Sequence, residues 1–278
     1  MNKKAFFAVL ISAIIAGSSG LFIKNVTIPA TSIAAIRTGL PTLLMGLFLF
    51  FNGVKFFRGN YKLMLSGSVF NAIRMYFFFV AYIYTAISNA VIITFTWPIF
   101  ATILSVIFLK EKVSNRNIAL LLFSFLGIII VFSNHTFSFE NRDFIGMSAA
   151  LATAITYAAS IVIFKKGTAN FSVPETIFYQ NLVGMFVFFP FLLYHQPFPN
   201  IRAFQIISTY AILMGMISFS FFFYGLKRLQ ASTTSMLAYG EIISAFCFGF
   251  FFLGERLTWN MIIGGSIIVM TTILLRKT

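Results

Sequence analysis

Acidic residues are scarce in this chain: six Asp and Glu stand among 278 residues, against twenty Lys and Arg. Charge of either sign makes up 9% of the sequence, where a soluble domain carries about a quarter. The single cysteine, Cys247, excludes an internal disulfide and any cysteine-built metal site. The two histidines, His135 and His195, fall in connections between apolar runs, where a solvated surface role is expected. With no histidine inside an apolar run, no paired carboxylates and no metal-ligand cluster, membrane-enzyme chemistry is disfavoured. No cofactor and no metal are expected. Long connections are missing too, since none exceeds about ten residues, which leaves no room for a soluble domain.

What the chain has in excess is apolar surface, 59% of residues including 39 Phe. A water-soluble fold has nowhere to put that much, so the class is an all-α integral membrane protein. The net charge of +14 would suggest nucleic acid in a soluble protein. Here the basic residues cluster in short segments between apolar runs, where membrane topology wants them. The expected partners are therefore a small-molecule substrate and membrane lipid, with no nucleic acid. Oligomeric state leaves no signal in the sequence.

Lys3-Lys4 followed by an apolar run raises the question of a signal peptide, but no Ala-x-Ala-like cleavage site follows. A retained first transmembrane helix is the better reading. About 20 residues are needed to cross the hydrocarbon core. Ten segments meet that length: roughly 5–23, 29–51, 62–84, 87–109, 116–134, 144–164, 173–195, 204–226, 230–253 and 258–275. Very short turns join the third to the fourth and the eighth to the ninth.

With the N-terminus inside, Lys3, Lys4, Lys55, Arg58, Lys62, Lys110 and Lys112 fall on the cytoplasmic side. Arg116, Lys165, Lys166, Lys227, Arg228, Arg276 and Lys277 join them there. Only Lys24, Arg142, Arg202 and Arg256 fall opposite. This bias predicts both termini in the cytoplasm, in a multi-pass protein of the cell (inner) membrane.

Residues 88–112 are echoed 144 positions later, without gaps, by 232–256. Ser88 falls on Ser232, Ile99 on Ile243, Ala101 on Ala245, Phe108-Leu109 on Phe252-Leu253, and Glu111 on Glu255. Phe77-Phe78-Phe79 falls on Phe221-Phe222-Phe223 in the same register. Upstream, Ala13-Ile14 through Lys24 aligns with Ala154-Ile155 through Lys165, and Ile28-Pro29 resembles Val173-Pro174. A self-match at a fixed offset suggests internal duplication, here residues 1–138 and 139–278 with five spans each. An odd number of spans inverts the second copy, which puts Glu111 inside and Glu255 outside. Inverted repeats typify secondary transporters, which bind substrate near the midplane between the copies.

These residues resemble a known family. Arg37 in the second span, the Phe77–Phe79 run, Thr-Trp-Pro-Ile-Phe-Ala (96–101) and Leu-Lys-Glu-Lys (109–112) look like the EamA-type drug/metabolite transporter superfamily. The second copy matches through Tyr-Gly-Leu-Lys-Arg (224–228), Ala-Tyr-Gly-Glu-Ile-Ile (238–243) and Leu-Gly-Glu-Arg-Leu (253–257). The triple Phe and Arg74 are similar to the subgroup of S-adenosylmethionine uptake carriers. The resemblance implies ten transmembrane helices as two inverted five-helix repeats around a central cavity. It implies a secondary active transporter that moves a small organic metabolite across the cytoplasmic membrane by alternating access. The cargo would be S-adenosylmethionine, an amino acid or a related charged solute; a passive solute channel or lipid scramblase of the same architecture is the alternative. One departure is Ile242, where the family often has Pro after Glu, so a kink is expected at Pro98 and is in doubt in the ninth span.

Three ionisable residues lie well inside the predicted spans: Arg37, Arg74 and Glu241. Each costs about 2.5–3.5 kcal/mol to insert when central, so such residues face the bundle interior. Arg37 is a candidate for an anionic group of the substrate, or a structural link to a helix end. Arg74 shares a stripe with Asn71, Phe78 and Tyr82, polar then aromatic as a cavity wall requires. The alternative is a permanent pair with Glu241. Glu241 takes the place of Trp97 in the repeat alignment. Thr234, Ala238, Glu241 and Ala245 share one helix face, as do their counterparts Ala90, Thr94, Trp97 and Ala101. Glu241 is the candidate acceptor of a coupling proton or ion, or counter-charge to a substrate cation. Pro98 is the candidate hinge. Tyr157, Tyr239, Gln180 and Asn181 are further candidate wall residues, and Gly17-Ser18-Ser19-Gly20 is read as a close-packing patch.

Overall fold

The computed structural model describes residues 2–133, 141–194, 199–254 and 256–276. His135, His195, Glu255 and Lys277 lie outside the described residues. Among the described residues the chain is helical throughout, without strands. A backbone in hydrocarbon must satisfy its own hydrogen bonds, and the helix does so within each segment. We number the helical spans α1 (Lys3–Ile23), α2 (Ala30–Phe51), α3 (Tyr61–Tyr84), α4 (Asn89–Leu109), α5 (Asn115–Val131), α6 (Arg142–Gly167), α7 (Val173–Tyr194), α8 (Ile201–Arg228), α9 (Ala231–Leu253) and α10 (Trp259–Arg276).

Among the described residues, nine of these are long and apolar enough to cross a membrane. The tenth of the expected spans, α5, is an apolar helix below that length. The segment expected over 116–134 is a helix of 17 residues, about 25 Å at 1.5 Å per residue and short of the hydrocarbon thickness. It starts where the Ser114 hydroxyl accepts from Asn117 N (3.2 Å) and ends at Phe132. The outer surface is apolar all round, with Phe51, Phe108, Phe186 and Phe251 exposed, so the molecule is a multi-pass membrane protein.

Packing follows a regular plan. α3 lies against α6 and α7, α1 against α8 and α9, α2 against α7 and α8, α4 against α6 and α9, and α5 against α10. Exchanging each of the first five helices with the one five places later maps this set of pairs onto itself. Local geometry repeats at the same offset. α4 ends in left-handed Lys110 (φ 55°) with its N–H on Ser105 O, and α9 ends in left-handed Gly254 (φ 66°) with its N–H on Gly249 O.

Three helices are interrupted, α4 among them close to the expected kink at Pro98. α1 breaks at Ser18, whose hydroxyl turns back onto Ile15 O (2.7 Å). α4 breaks at Phe95–Thr96, ahead of Pro98, which occupies the first turn of the following segment where a missing N–H costs nothing. α9 breaks at Ala238–Tyr239 although Ile242 stands where proline was expected. The kink in doubt is therefore present, carried by tight i→i−3 turns from Glu241 N to Ala238 O (3.0 Å) and Ile242 N to Tyr239 O (3.1 Å). α8 contains a π-helical stretch, Leu213–Ser218, a feature often found beside functional sites.

The end of the bundle that carries most of the basic residues is tied across the two halves. Arg58, in the α2–α3 loop, forms a forked pair with Glu175 (2.8 and 3.0 Å) at the start of α7. Glu175 also closes a capping box with Ser172, accepting from Ser172 N (2.8 Å) and Oγ (2.7 Å). That hydrogen-bonded carboxylate holds the Arg58 guanidinium above its ordinary pKa. Both Glu111 carboxylate oxygens accept from Ala231 N at the start of α9 (3.0 and 2.9 Å). Lys165 donates to the carbonyls of Leu226 and Leu229 at the end of α8 (2.6 and 2.5 Å).

Candidate functional site

Six of these spans, with one residue of α2, enclose a cavity of about 140 Å³. α1 lines it with Val9, Ser12, Ala13 and Ala16, and α2 with Arg37. α3 contributes Arg74 and Phe78, α4 contributes Thr94, Phe95 and Trp97, and α6 contributes Tyr157. From α8 come Met214, Ser218, Phe219 and Phe222, and from α9 Ala238 and Glu241, so with Tyr157 the second half supplies seven of the lining residues. The interruptions of α4 and α9 and the π-helical stretch thus border the same space.

The three charged residues expected to face inward meet here, and they meet unpaired. Among the described residues, neither arginine forms an ion pair with Glu241. Arg74 instead stacks on Tyr157, with Cζ 4.4 Å from the ring centroid, and Tyr157 in turn packs on Trp97 at 4.6 Å. Arg74 Nε and Thr94 Oγ1, both buried, have no hydrogen-bond partner among the described residues. Arg37 stands 5.9 Å from the Phe219 ring, and its Nη1 reaches the Met75 sulfur at 4.0 Å. A desolvated guanidinium edge without an acceptor is a costly arrangement unless something else supplies one.

The two halves line the cavity with matched positions. At the 144-residue offset, Arg74 corresponds to Ser218, Phe78 to Phe222, Thr94 to Ala238 and Trp97 to Glu241, and every one of these residues lines the space. Tyr157 corresponds to Ala16 at the offset of 141 that relates α1 to α6, and both line it as well. The walls therefore match in position and differ in chemistry. One wall stacks Trp97 and Arg74 of the first half on the ring of Tyr157 from the second. Its image offers Ser218 and Glu241 of the second half with Ala16 of the first, two small side chains and a carboxylate.

Arg37, Arg74, Phe78, Thr94, Trp97, Tyr157 and Glu241 are thus brought together. Four expected wall residues are not. Asn71 lies buried between α3 and α7, with its Nδ2 donating to Gln180 O (2.9 Å), and does not line the cavity. Gln180 and Asn181 are buried outside the cavity lining as well, and Asn181 donates to Ile177 O (2.9 Å). Tyr239 is fully buried behind the wall, and its hydroxyl donates to Phe95 O (3.0 Å). That carbonyl lies at the interruption of α4, so Tyr239 of one half satisfies the broken helix of the other. Tyr239→Phe is expected to cost about 1 kcal/mol by leaving this acceptor unpaired. Thermal unfolding in detergent reads the loss as a lower midpoint, and an unchanged midpoint would contradict it.

Sequence reasoning missed Ser12 and Ser218, whose hydroxyls bond each other (3.0 Å) across α1 and α8. Gly17 was read as a packing residue, and it is one. A Cβ there would meet Ser244 Cβ at 2.5 Å, Ala245 N at 2.6 Å and Glu241 O at 2.7 Å, so its absence lets α1 touch the backbone that carries Glu241. Gly20 has nothing within 4 Å of its own Cβ position.

Comparison with known proteins agrees with this architecture. The EamA-like transporter family model matches twice, over residues 3–133 and 144–276. The chain is 24% identical to the mouse protein named solute carrier family 35 member G1, over 96% of this chain and 76% of the relative. It is 24% identical to the pseudopaline exporter of Pseudomonas aeruginosa, over 91% and 88%. It is also 24% identical to the S-adenosylmethionine uptake transporter of Rickettsia prowazekii, over 67% and 62%. A crystal structure at 14% identity superposes with a TM-score of 0.84 across 99% of both chains, which fixes the fold alone. Matched over almost its whole length, the chain belongs to the EamA-like transporter family.

Proposed function

We propose that this protein is a secondary active transporter that moves a small organic metabolite across the cytoplasmic membrane by alternating access. Residues 1–138 and 139–278 form two inverted five-helix repeats, with α5 completing ten spans and both termini cytoplasmic. The observation that carries the reading is the cavity itself: equivalent positions of both halves line it, and among the described residues its three charged side chains form no ion pair with one another. The invariance of the packing pairs and the matched left-handed caps support the duplication. Arg37 and Arg74 hold anionic groups of the cargo, Phe78, Thr94, Trp97 and Tyr157 shape its wall, and Glu241 accepts a coupling proton or ion or faces a substrate cation. The interruptions at Phe95–Thr96 and Ala238–Tyr239 are the bending points, with Pro98 fixing the first. S-adenosylmethionine and pseudopaline are the solutes named for two of the relatives.

The experiment is counterflow in proteoliposomes, where a carrier exchanges labelled for unlabelled solute against no net gradient. Saturable exchange is expected. Flux without counterflow, or lipid movement alone, would replace the carrier with a channel or scramblase. The inversion has its own test. Single cysteines at Asn141 and Phe56, in a Cys247→Ser background, are expected to label from opposite membrane faces, and same-face labelling would remove it.

A further inference from the structure

The charges and size of the cavity narrow its ligand beyond any small charged solute. Two guanidinium groups and one carboxylate line the space, for a net charge of +1 inside an apolar bundle. Unpaired charge in such surroundings is expensive, so the ligand that fits best leaves none. That ligand carries two anionic groups and one cationic group. The volume sets a limit as well. A cavity of about 150 Å³ takes a benzene-sized molecule, so 140 Å³ holds on the order of six to ten non-hydrogen atoms.

The arrangement of the walls orients such a molecule. Tyr157 covers one face of Arg74, leaving the guanidinium edge, with its unpartnered Nε, to meet an oxygen acceptor. Thr94 Oγ1, also unpartnered, stands on the same half of the wall. Ala16 is the image of Tyr157, so the wall that carries Glu241 has a methyl group where the wall that carries Trp97 is filled by a ring, which leaves room on the carboxylate side. An ammonium group belongs at Glu241 and acidic oxygens at Arg74 and Arg37.

We propose that the cargo is a compact acidic zwitterion, with one ammonium and two carboxylate groups on a skeleton of about ten non-hydrogen atoms. This rests on the transport reading of the same cavity. A bulky cation such as S-adenosylmethionine, with a further positive charge to place beside two arginines, is the wrong size and sign for this site.

Trp97 supplies a direct readout, because the other tryptophan, Trp259, is exposed at the start of α10 and can be replaced by phenylalanine. In Trp259→Phe protein, L-aspartate is expected to shift Trp97 emission saturably. Its apparent affinity should be at least tenfold tighter than that of L-alanine, L-lysine or S-adenosylmethionine. Arg74→Gln should weaken aspartate at least tenfold, and Glu241→Gln should reverse the preference for aspartate over succinate, which lacks the amine. Tighter binding of lysine or S-adenosylmethionine, or no response to either acidic probe, overturns the proposal. Counterflow then separates the two claims. Aspartate that binds without exchanging defeats the transport reading and keeps the ligand class, whereas lysine that exchanges while aspartate neither binds nor moves does the reverse.

Discussion

Arg74→Ala is expected to lower solute flux through the reconstituted protein by at least about tenfold, while the protein still inserts and purifies as before. The guanidinium sits on Tyr157 at 4.4 Å with its Nε unpartnered, so its removal breaks no internal ion pair. What it removes is a desolvated charge that the cargo must meet. Truncating one partner of a buried charged pair costs about 2–5 kcal/mol, which is more than tenfold in affinity. Arg74→Lys keeps the charge but loses the planar face that lies on the ring and the forked donors, so it should recover only part of the flux. Wild-type flux in Arg74→Ala would remove this residue from the site.

Gly17→Ala should produce the other large effect, for a steric reason. The added Cβ would lie 2.6 Å from Ala245 N and 2.7 Å from Glu241 O, and backbone atoms of a packed helix cannot give way as the end of a side chain can. α1 and α9 must separate, at an overpacking cost of about 1–3 kcal/mol. The separation carries Glu241 out of register with the arginines, so transport falls together with the unfolding midpoint. Gly20→Ala, three residues away with open space at its Cβ, is the control and should match wild type in both. Equal behaviour of the two variants would show that close approach at Gly17 is not needed.

Much of this was legible in the sequence, for physical reasons. Long apolar runs with basic residues between them follow from the bilayer, and they located the spans to within a few residues. Charged residues inside those runs are so costly that Arg37, Arg74 and Glu241 could be drawn to one interior space before any coordinates. Polar uncharged residues carry a weaker signal. Asn71 and Tyr239 have the composition of a cavity wall, but an amide or a phenol can as readily satisfy a carbonyl on the next helix, and both do. Ser218 and Phe222 had a signal that went unused, since they are the images of Arg74 and Phe78 at the offset already in hand. Ala16 is likewise the image of Tyr157. Met214 and Phe219 had none, being apolar residues in an apolar helix. The break in α9 stays in doubt from sequence because Ile242 stands where a proline would announce it. The backbone turns at Ala238–Tyr239 without it, at nearly the same place as in α4, which points to the packing of the two halves rather than a single residue.

Alternating access is the central claim, and a single cysteine tests it most directly. Ala238→Cys in a Cys247→Ser background places a small thiol on the cavity wall at the break in α9. In right-side-out vesicles, and separately in inverted ones, a membrane-impermeant maleimide is expected to reach this thiol. Reaction from both faces is the result the account predicts, and reaction from only one face, or from neither, would contradict it.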